Sequence, residues 1–289
     1  MRVVQVFALL LAALLVAAGS GTRSPLTLQP ARSSPQDLEI SGDLAGLPEG
    51  TVRFVKYEDL LTFPQGTFTP AGDANFPTGG ALSGMRLEEL IHALGLPDSG
   101  QLIAAECNDK YEAHYTAAYR AAHDPILVLR IGGKPPTSWP TIEGNSSGPY
   151  LISHANFTPA FHVLSHTDEA QIPFGVVGLK FFKEDAVLAV LRPKGEYAPD
   201  SAVMQGYQIA FQNCFRCHNQ GVFGGRKAGV AWNTLARYAT WDPAGFAAVV
   251  HDPKSKNPAA KMPGNPEYDA DTLHALTAYF QAFNQQAKR

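Results

Sequence analysis

Apolar and polar positions follow two different patterns along the chain, and the first pattern mixes strands with helices. Leu87, Leu90, Ile91 and Leu94 keep the i, i+3, i+4, i+7 spacing of an amphipathic helix, and Gly95 is placed to end it. Short apolar runs bounded by turn residues predict six strands. One begins at Val52, and the others cover residues 102–105, 126–131, 150–153, 176–182 and 186–191. The pattern therefore predicts an α+β domain over residues 38 to 192, about 150 residues long and typical in size.

The pattern changes after residue 192. Residues 193 to 200 contain two Pro and one Gly, which indicates a linker. Beyond it the strand signals vanish, and helices are predicted at 201–213, 243–250 and 272–284. In the last of these, Leu276, Phe280 and Phe283 share one face, and Asp271 is available as N-cap. Residues 201 to 289 are therefore predicted to form a small all-α domain.

The N-terminus has the features of an export signal. Arg2 precedes a 16-residue run dominated by apolar side chains, and small residues follow it at 17–21. The run is shorter than the roughly 20 residues that span a bilayer, which favours cleavage and a soluble periplasmic protein; an uncleaved membrane anchor is the alternative. We assign residues 1–21 to a Sec-type signal peptide and residues 22–37 to a disordered lead-in rich in Pro and Ser.

Composition narrows the class of protein. Apolar residues make up 45% and charged residues 17%, as in globular proteins. The net charge is 23 − 26 = −3 and no basic block dominates, so nucleic acid is not an expected partner. Only three cysteines occur, which excludes a small fold held together by disulfides.

Two of these cysteines belong to a motif with specific chemistry. Cys214-Phe215-Arg216-Cys217-His218 fits Cys-x-x-Cys-His, the pattern for attachment of haem c. Two thiols one helical turn apart can each add to a vinyl group of the porphyrin, and the following imidazole then faces the iron. His218 should bind through Nε2 while its other nitrogen donates to a backbone carbonyl. A thioredoxin-like motif would follow a strand, and a zinc site would need about four ligands.

The sixth ligand of such an iron is expected from the loop before the last helix. Met262 lies there in Ala260-Lys261-Met262-Pro263-Gly264, outside any apolar periodicity. His251, at the end of the preceding predicted helix, is the rival, and a buried Met is often only a gap filler. The position of the loop on the far side of the haem favours Met262.

Residues 201 to 286 resemble the class I cytochromes c. Besides the attachment motif and the Met-Pro loop, Gly206 lies eight residues before Cys214, as in the family's first helix, and residues 276–280 are similar to its last helix. One departure is that Val230 follows Gly229 where the family often has Pro after Gly. The resemblance implies a single covalent haem, with His218 and Met262 as its axial ligands, that transfers electrons to and from partner proteins.

Residues 38 to 192 resemble, less specifically, the molybdopterin-binding domain of the sulfite-oxidase family. The resemblance rests on segments 57–61 and 84–90, on the strand that ends at Cys107, and on 108–111 and 148–150. In the family's enzymes a Cys after this strand binds molybdenum, and Cys107 matches it. Asn108, Asp109 and Lys110 depart from the residues that follow in those enzymes, and the signal lacks the twin Arg expected for export of a folded molybdenum protein. A buried apolar role for Cys107 is therefore favoured.

Three hypotheses about function follow, and they leave open whether the chain is an enzyme. The leading one is an exported electron carrier whose N-terminal domain docks redox partners. The alternative is a molybdopterin-dependent, sulfite dehydrogenase-like oxidoreductase with a built-in haem c acceptor. The third is a protein whose haem senses redox state or a ligand. His154, His162 and His166 have metal-like spacing, but three His over thirteen residues are more often surface or core residues.

Overall fold

A computed structural model describes residues 26–76, 79–97, 100–142 and 144–284. The predicted signal peptide, residues 1–21, lies outside the described residues. The strands are β1 (Leu38–Gly42), β2 (Arg53–Val55), β3 (Gly66–Phe68), β4 (Leu82–Arg86), β5 (Gln101–Cys107), β6 (Glu112–Tyr115), β7 (Ile126–Ile131), β8 (Thr141–Ile142), β9 (Asn145–Ser146), β10 (Tyr150–Ser153), β11 (His162–Val163), β12 (His166–Thr167) and β13 (Phe174–Lys183). The helices are α1 (Tyr57–Leu60), α2 (Leu87–Ala93), α3 (Ala117–His123), α4 (Glu184–Leu191), α5 (Ala202–Ile209), α6 (Trp232–Trp241), α7 (Pro243–His251), α8 (Pro253–Lys256) and α9 (Ala270–Asn284).

The long strand β13 organises a mixed nine-stranded sheet. It pairs in parallel with β1 and antiparallel with β5 and β10. Val176 is the partner of both Tyr150 and Cys107, so β10 and β5 lie on opposite edges of β13. β7, β4 and β3 continue the sheet beyond β10, and β6 pairs with β5. On one side the sheet therefore ends in the β5–β6 hairpin, whose turn follows Cys107.

The two faces of this hairpin are buried against different cores. Ile103, Ala105 and Cys107 of β5 lie in the core of the sheet with α1 and α2. Leu102 and Ala104, which point the other way because side chains alternate along a strand, lie in the core of the C-terminal helices. The helical part of the chain therefore covers one face of the sheet.

One predicted strand is a helix in the structure. Residues 186–191 are part of α4, so the prediction from their apolar run is wrong. Val187 and Leu191, four positions apart, are both buried, while Glu184 and Asp185 occupy the first turn, where the helix dipole favours acidic groups. A short apolar run does not distinguish a buried strand from a buried helix, and here the 3.6-residue period decides.

The predicted disorder of residues 22–37 is also wrong for the part that the structure describes. Leu26 is buried, and its amide donates to the carbonyl oxygen of Ala93 at 3.0 Å. Gln29 exchanges two backbone hydrogen bonds with Phe54, at 2.8 and 2.9 Å. The segment from residue 26 is therefore packed on residues 38–192, which are called the sheet unit below.

The predicted C-terminal helices form, and two of them cross at very short range. α5 continues through one π-helical turn, Ala210–Cys214, and α9 packs across it. A Cβ built on Gly206 would lie 2.0 Å from the carbonyl oxygen of Ala275. Only glycine permits this approach of the two backbones. In the part of the chain that the structure describes, no helix combines the length and the apolar character needed to span a membrane.

Candidate functional site

The Cys-x-x-Cys-His segment forms a tight turn at the end of the α5 helix. The amides of Cys217 and His218 both donate to the carbonyl oxygen of Cys214, at 3.1 and 3.0 Å. Gly224 packs on the ring of Phe215, where a Cβ would come within 2.4 Å, and it has a φ of +87°. The loop after the motif is therefore held against the motif itself.

The four residues singled out from the sequence lie around one cavity. Cys214, Cys217, His218 and Met262 all line it. Most of the remaining wall is apolar or aromatic: Leu235, Tyr238, Phe246, Val249, Val250, Pro263 and Phe280. An apolar cavity with a few placed polar groups is typical of a cofactor site.

His218 is fixed in the orientation that a metal ligand needs. Its side chain is buried, and Nδ1 donates to the carbonyl oxygen of Val230 at 2.8 Å. This is the backbone acceptor expected from the sequence, supplied without the Pro that the cytochrome family often has. Burial lowers the pKa of His218, which favours the neutral ring with a free Nε2 lone pair.

Met262 and its rival His251 differ in their relation to this cavity. Met262 is half-buried and lines it, whereas His251 is not among the residues of the cavity wall. The backbone carbonyl of His251 accepts a hydrogen bond from the amide of Asn265 at 3.0 Å. His251 therefore helps shape the Met262 loop through its backbone.

The three cysteines are free thiols in the structure. Burial raises the pKa of Cys214 to about 12 and also raises the pKa of Cys217. Both thiols are therefore protonated at neutral pH. Both cysteines line the same cavity as His218.

A hydrogen-bonded chain that the sequence analysis missed links this cavity to the sheet unit. Asn213 Nδ2 donates to the hydroxyl of Tyr268 at 2.6 Å, and that hydroxyl lies 3.0 Å from Nδ1 of the buried His166. The other ring nitrogen of His166 is bonded to Gln212. Asn213 and Tyr268 line the cavity, so His166 of β12 supports its wall from behind.

The β5–β6 hairpin also contacts the motif directly through the backbone. The amide of Glu112 donates to the carbonyl oxygen of Arg216, between the two cysteines, at 2.9 Å. The amide of Arg226 donates to the carbonyl oxygen of Lys110, also at 2.9 Å. Arg216 forms an ion pair with Glu169 at 2.9 Å. Residues from both halves of the chain therefore fix the motif.

Glu112 is the buried charge at the centre of this contact. Its carboxylate accepts from His114 Nε2 and Lys180 Nζ, each at 2.9 Å, and from the amide of Gly224 at 3.2 Å. Burial alone would raise the pKa of Glu112, but His114 and Lys180 outweigh it and hold the pKa at about 2. Glu112 and Gly224 are 112 positions apart, so no local sequence pattern could have revealed the contact.

Cys107, which the resemblance implies as a molybdenum ligand, is buried in the sheet. Cys107 is 2% exposed and packs in the core of the sheet unit. Burial raises the pKa of its thiol far above the ordinary range. Backbone hydrogen bonds join the loop that follows it to Arg226 and Arg216, through Lys110 and Glu112. The structure therefore gives Cys107 the properties of a core residue.

The three histidines with metal-like spacing are not brought together on a helix. His162 and His166 lie on the two strands of the β11–β12 hairpin, His162 exposed and His166 buried. His154 Nε2 is bonded instead to the hydroxyl of Tyr119 at 3.1 Å. Within the described ranges, no group of three or more His, Cys, Asp or Glu is arranged to hold a metal ion.

Comparison with known proteins gives a distant likeness to solved structures and nothing nearer. No protein-family model matches the chain, and no curated protein matches it. The chain is similar to the crystal structure of the sulfane dehydrogenase SoxCD from Paracoccus pantotrophus, with 17% sequence identity over 53% of this chain and a TM-score of 0.36. It spans 40% of the length of that chain. A likeness at this level assigns neither family nor activity, so the functional argument depends on the site.

Proposed function

We propose that this protein is an exported c-type cytochrome that carries electrons through one covalently bound haem. The observation that supports the proposal most strongly is the shared cavity of Cys214, Cys217, His218 and Met262. The chain brings together two thiols one turn apart, an imidazole oriented by Val230, and a thioether from a distant loop. This donor set, with apolar walls, is the one that a His/Met-ligated haem c requires.

Each of these side chains has one role in holding the group. Cys214 and Cys217 would hold the haem through two thioether bonds, and His218 and Met262 would bind its iron. When bound, the haem supplies an iron that cycles between the ferric and ferrous states. The apolar wall around Phe246, Val250 and Phe280 limits water in the cavity. Hydrogen bonding of His218 Nδ1 to Val230 raises the basicity of Nε2.

The sheet unit is proposed to position the motif and to present a surface to redox partner proteins. Support comes from the backbone bonds of Lys110 and Glu112 to the motif segment and from the ion pair of Arg216 with Glu169. These contacts hold the attachment segment in one place relative to the sheet. The signal-like N-terminus supports a periplasmic location.

The test of this proposal is covalent attachment. Expressed with a haem-maturation system, the protein should keep its haem through acid-acetone extraction, because thioether bonds survive it. Replacing Cys214 and Cys217 together by Ala should give haem-free or extractable protein. Cys107→Ser is the matched control and should keep covalent haem. Covalent haem in the double variant, or none in the unaltered protein, would contradict the proposal.

A further inference from the structure

The β11–β12 hairpin of the sheet unit is bonded to the segment that carries Met262. That segment is the loop between α8 and α9, residues 257–269, and it is called the Met262 loop below. The amide of Ser165, in the turn of the hairpin, donates to Thr272 Oγ1 at 3.0 Å, and the amide of Asp269 donates to Ser165 Oγ, also at 3.0 Å. The turn of the hairpin therefore holds the end of the loop and the first turn of α9.

His166 connects the same hairpin to two elements of the C-terminal half. Its side chain is buried, its Nε2 bonds to Oε1 of Gln212 in the π-helical turn, and its Nδ1 lies 3.0 Å from the hydroxyl of Tyr268. Because an amide oxygen only accepts, Nε2 carries the ring proton, and Nδ1 of the neutral ring accepts from Tyr268. Burial lowers the pKa of His166, which favours this neutral form. The Tyr268 hydroxyl therefore has an acceptor that belongs to the sheet unit.

The Tyr268 hydroxyl extends this connection towards Met262. Its oxygen accepts from Asn213 Nδ2 at 2.6 Å, and the same nitrogen donates to Asn265 Oδ1 at 3.0 Å. Arg216 donates to Asn213 Oδ1 at 3.1 Å, which orients the amide with its nitrogen towards the loop. Asn265 lies three residues after Met262, and both residues line the same cavity. A chain of hydrogen bonds therefore runs from the hairpin to the part of the loop that carries the thioether.

We propose that His166 is a positioning residue that holds the Met262 loop in place, so that the thioether of Met262 stays on the haem iron. The inference rests on the proposed function and deepens it, because it gives the sheet unit control over an axial ligand as well as over the attachment motif. Without His166, the Tyr268 hydroxyl loses its buried acceptor. The loop should then open about fivefold to tenfold more often.

Cyanide titration of the oxidised, haem-loaded full-length protein measures this opening. Cyanide binds the iron only when Met262 has left it, so its apparent affinity follows the population of the open loop. His166→Ala should raise the apparent affinity about fivefold to tenfold. The near-infrared band should persist in the absence of cyanide, because the closed loop still predominates. Unchanged cyanide affinity in His166→Ala would overturn the proposal.

A second variant tests the same bond from the other side. Tyr268→Phe removes the hydroxyl and keeps the ring in the cavity wall, so it should raise the cyanide affinity at least as much as His166→Ala does. Adding His166→Ala to Tyr268→Phe should give no further rise, because the two changes remove one shared bond. Independent, multiplying effects of the two substitutions would contradict the proposed connection.

Two control substitutions separate positioning of the loop from a general loss of stability. His162 is on the same hairpin but is exposed, and its Nδ1 bonds to Thr167 within the hairpin at 2.8 Å. Leu90 is fully buried in α2, so Leu90→Ala destabilises the fold away from the hairpin. Both His162→Ala and Leu90→Ala should leave the cyanide affinity unchanged. A rise in either control equal to that in His166→Ala would overturn the positioning role.

Hydrogen exchange in the Met262 loop gives a readout that does not require haem. The amide of Asn265 donates to the carbonyl oxygen of His251 at 3.0 Å, and the amide of Tyr268 donates to that of Asn265 at 3.1 Å. Both amides should exchange about fivefold to tenfold faster in His166→Ala. Faster exchange in a chain without covalent haem contradicts only the proposed function. A haem-loaded chain with unchanged exchange and cyanide affinity contradicts only the role of His166.

Discussion

At the scale of single residues, Glu112 carries the charge on which the contact between the two halves depends. Its side chain is 3% exposed, and it interacts with His114, Lys180 and the amide of Gly224. Removing one member of a buried charge pair commonly costs about 3 kcal/mol, because the other member is left without its partner. Glu112→Gln should therefore lower the free energy of unfolding at pH 7 by about 3 kcal/mol.

This effect has a defined pH dependence. The pKa of Glu112 is about 2 in the folded protein against 4.5 for an ordinary Glu. A carboxyl with a lowered folded pKa stabilises the fold above its unfolded pKa, and this contribution is lost as pH falls from about 4.5 towards about 2. Denaturation of both proteins across this range should show the difference between them shrinking. A difference that stays constant down to the lower limit would contradict the assignment.

Met262 is the residue on which the axial assignment depends. If its sulfur binds ferric iron, the oxidised protein is low-spin and shows weak near-infrared absorption from thioether-to-iron charge transfer. Met262→Ala should remove that band, open a coordination position to added cyanide, and lower the reduction potential. Two controls should leave the band unchanged: Met204→Leu in α5, and His251→Ala outside the cavity wall. Loss of the band in His251→Ala would reassign the ligand.

The residues of this site divide by how far their partners lie along the chain. The roles proposed for Cys214, Cys217 and His218 come from adjacent positions in the sequence, and the role proposed for Met262 comes from its loop before α9. The structure shows that these four residues line one cavity. The roles of Glu112 and His166 could not be predicted, because they come from tertiary contacts that no local spacing encodes. The residues that support the wall of a site are therefore harder to predict from a sequence than the residues that line it.

Among the elements, α5 and α9 cross so closely that the contact leaves no room for a side chain at Gly206. A Cβ on Gly206 would lie 2.0 Å from the carbonyl oxygen of Ala275 and 2.8 Å from Cβ of Tyr279. The two helices would have to move apart, which disturbs the core they share. Gly206→Ala should therefore lower the free energy of unfolding by about 3 kcal/mol, at the upper end of the usual cost of overpacking.

Gly66→Ala is the matched control for that substitution. Gly66 lies in β3, and a Cβ there would meet nothing within 4 Å. Its effect on the free energy of unfolding should stay within about 0.5 kcal/mol, as for other surface substitutions. Equal effects of the two substitutions in denaturant titrations would mean that the crossing is looser than the structure indicates.

Prediction of the elements succeeded where a pattern was long or sharply bounded. β7 and β10 have the bounds expected from their apolar runs, and α9 extends the predicted helix by two residues at its start. The apolar run of α4 predicts a strand because only two of its residues, Val187 and Leu191, are buried, too few to show a helical period. The Pro and Ser content of residues 22–37 predicts disorder, whereas Leu26 and Leu28 pack on the core, a contact that depends on the fold and that no local pattern shows.

At the scale of the whole molecule, the two halves share a core. Leu102 and Ala104 of β5, with Val187 and Leu191 of α4, lie in one cluster with the C-terminal helices. The hydroxyl of Tyr279 in α9 donates to the carbonyl oxygen of Leu191 at 2.6 Å. The sheet unit and the helices are therefore expected to unfold in one cooperative step.

Leu191→Ala tests this coupling. The side chain is fully buried, and truncation should cost about 2–4 kcal/mol. Hydrogen exchange should then show an equal loss of protection in α9 and in β7. No residue of β7 belongs to the cluster that contains Leu191. Loss of protection in α9 alone would show that the halves unfold separately.

Attachment of haem to the two motif thiols is tested by peptide mapping with mass spectrometry. Protein from a host with haem maturation should give a peptide holding Cys214 and Cys217 with one haem attached and both thiols consumed. The peptide holding Cys107, which is buried in the sheet core, should be unmodified. Recovery of the motif peptide with two free thiols from such a host would contradict the account.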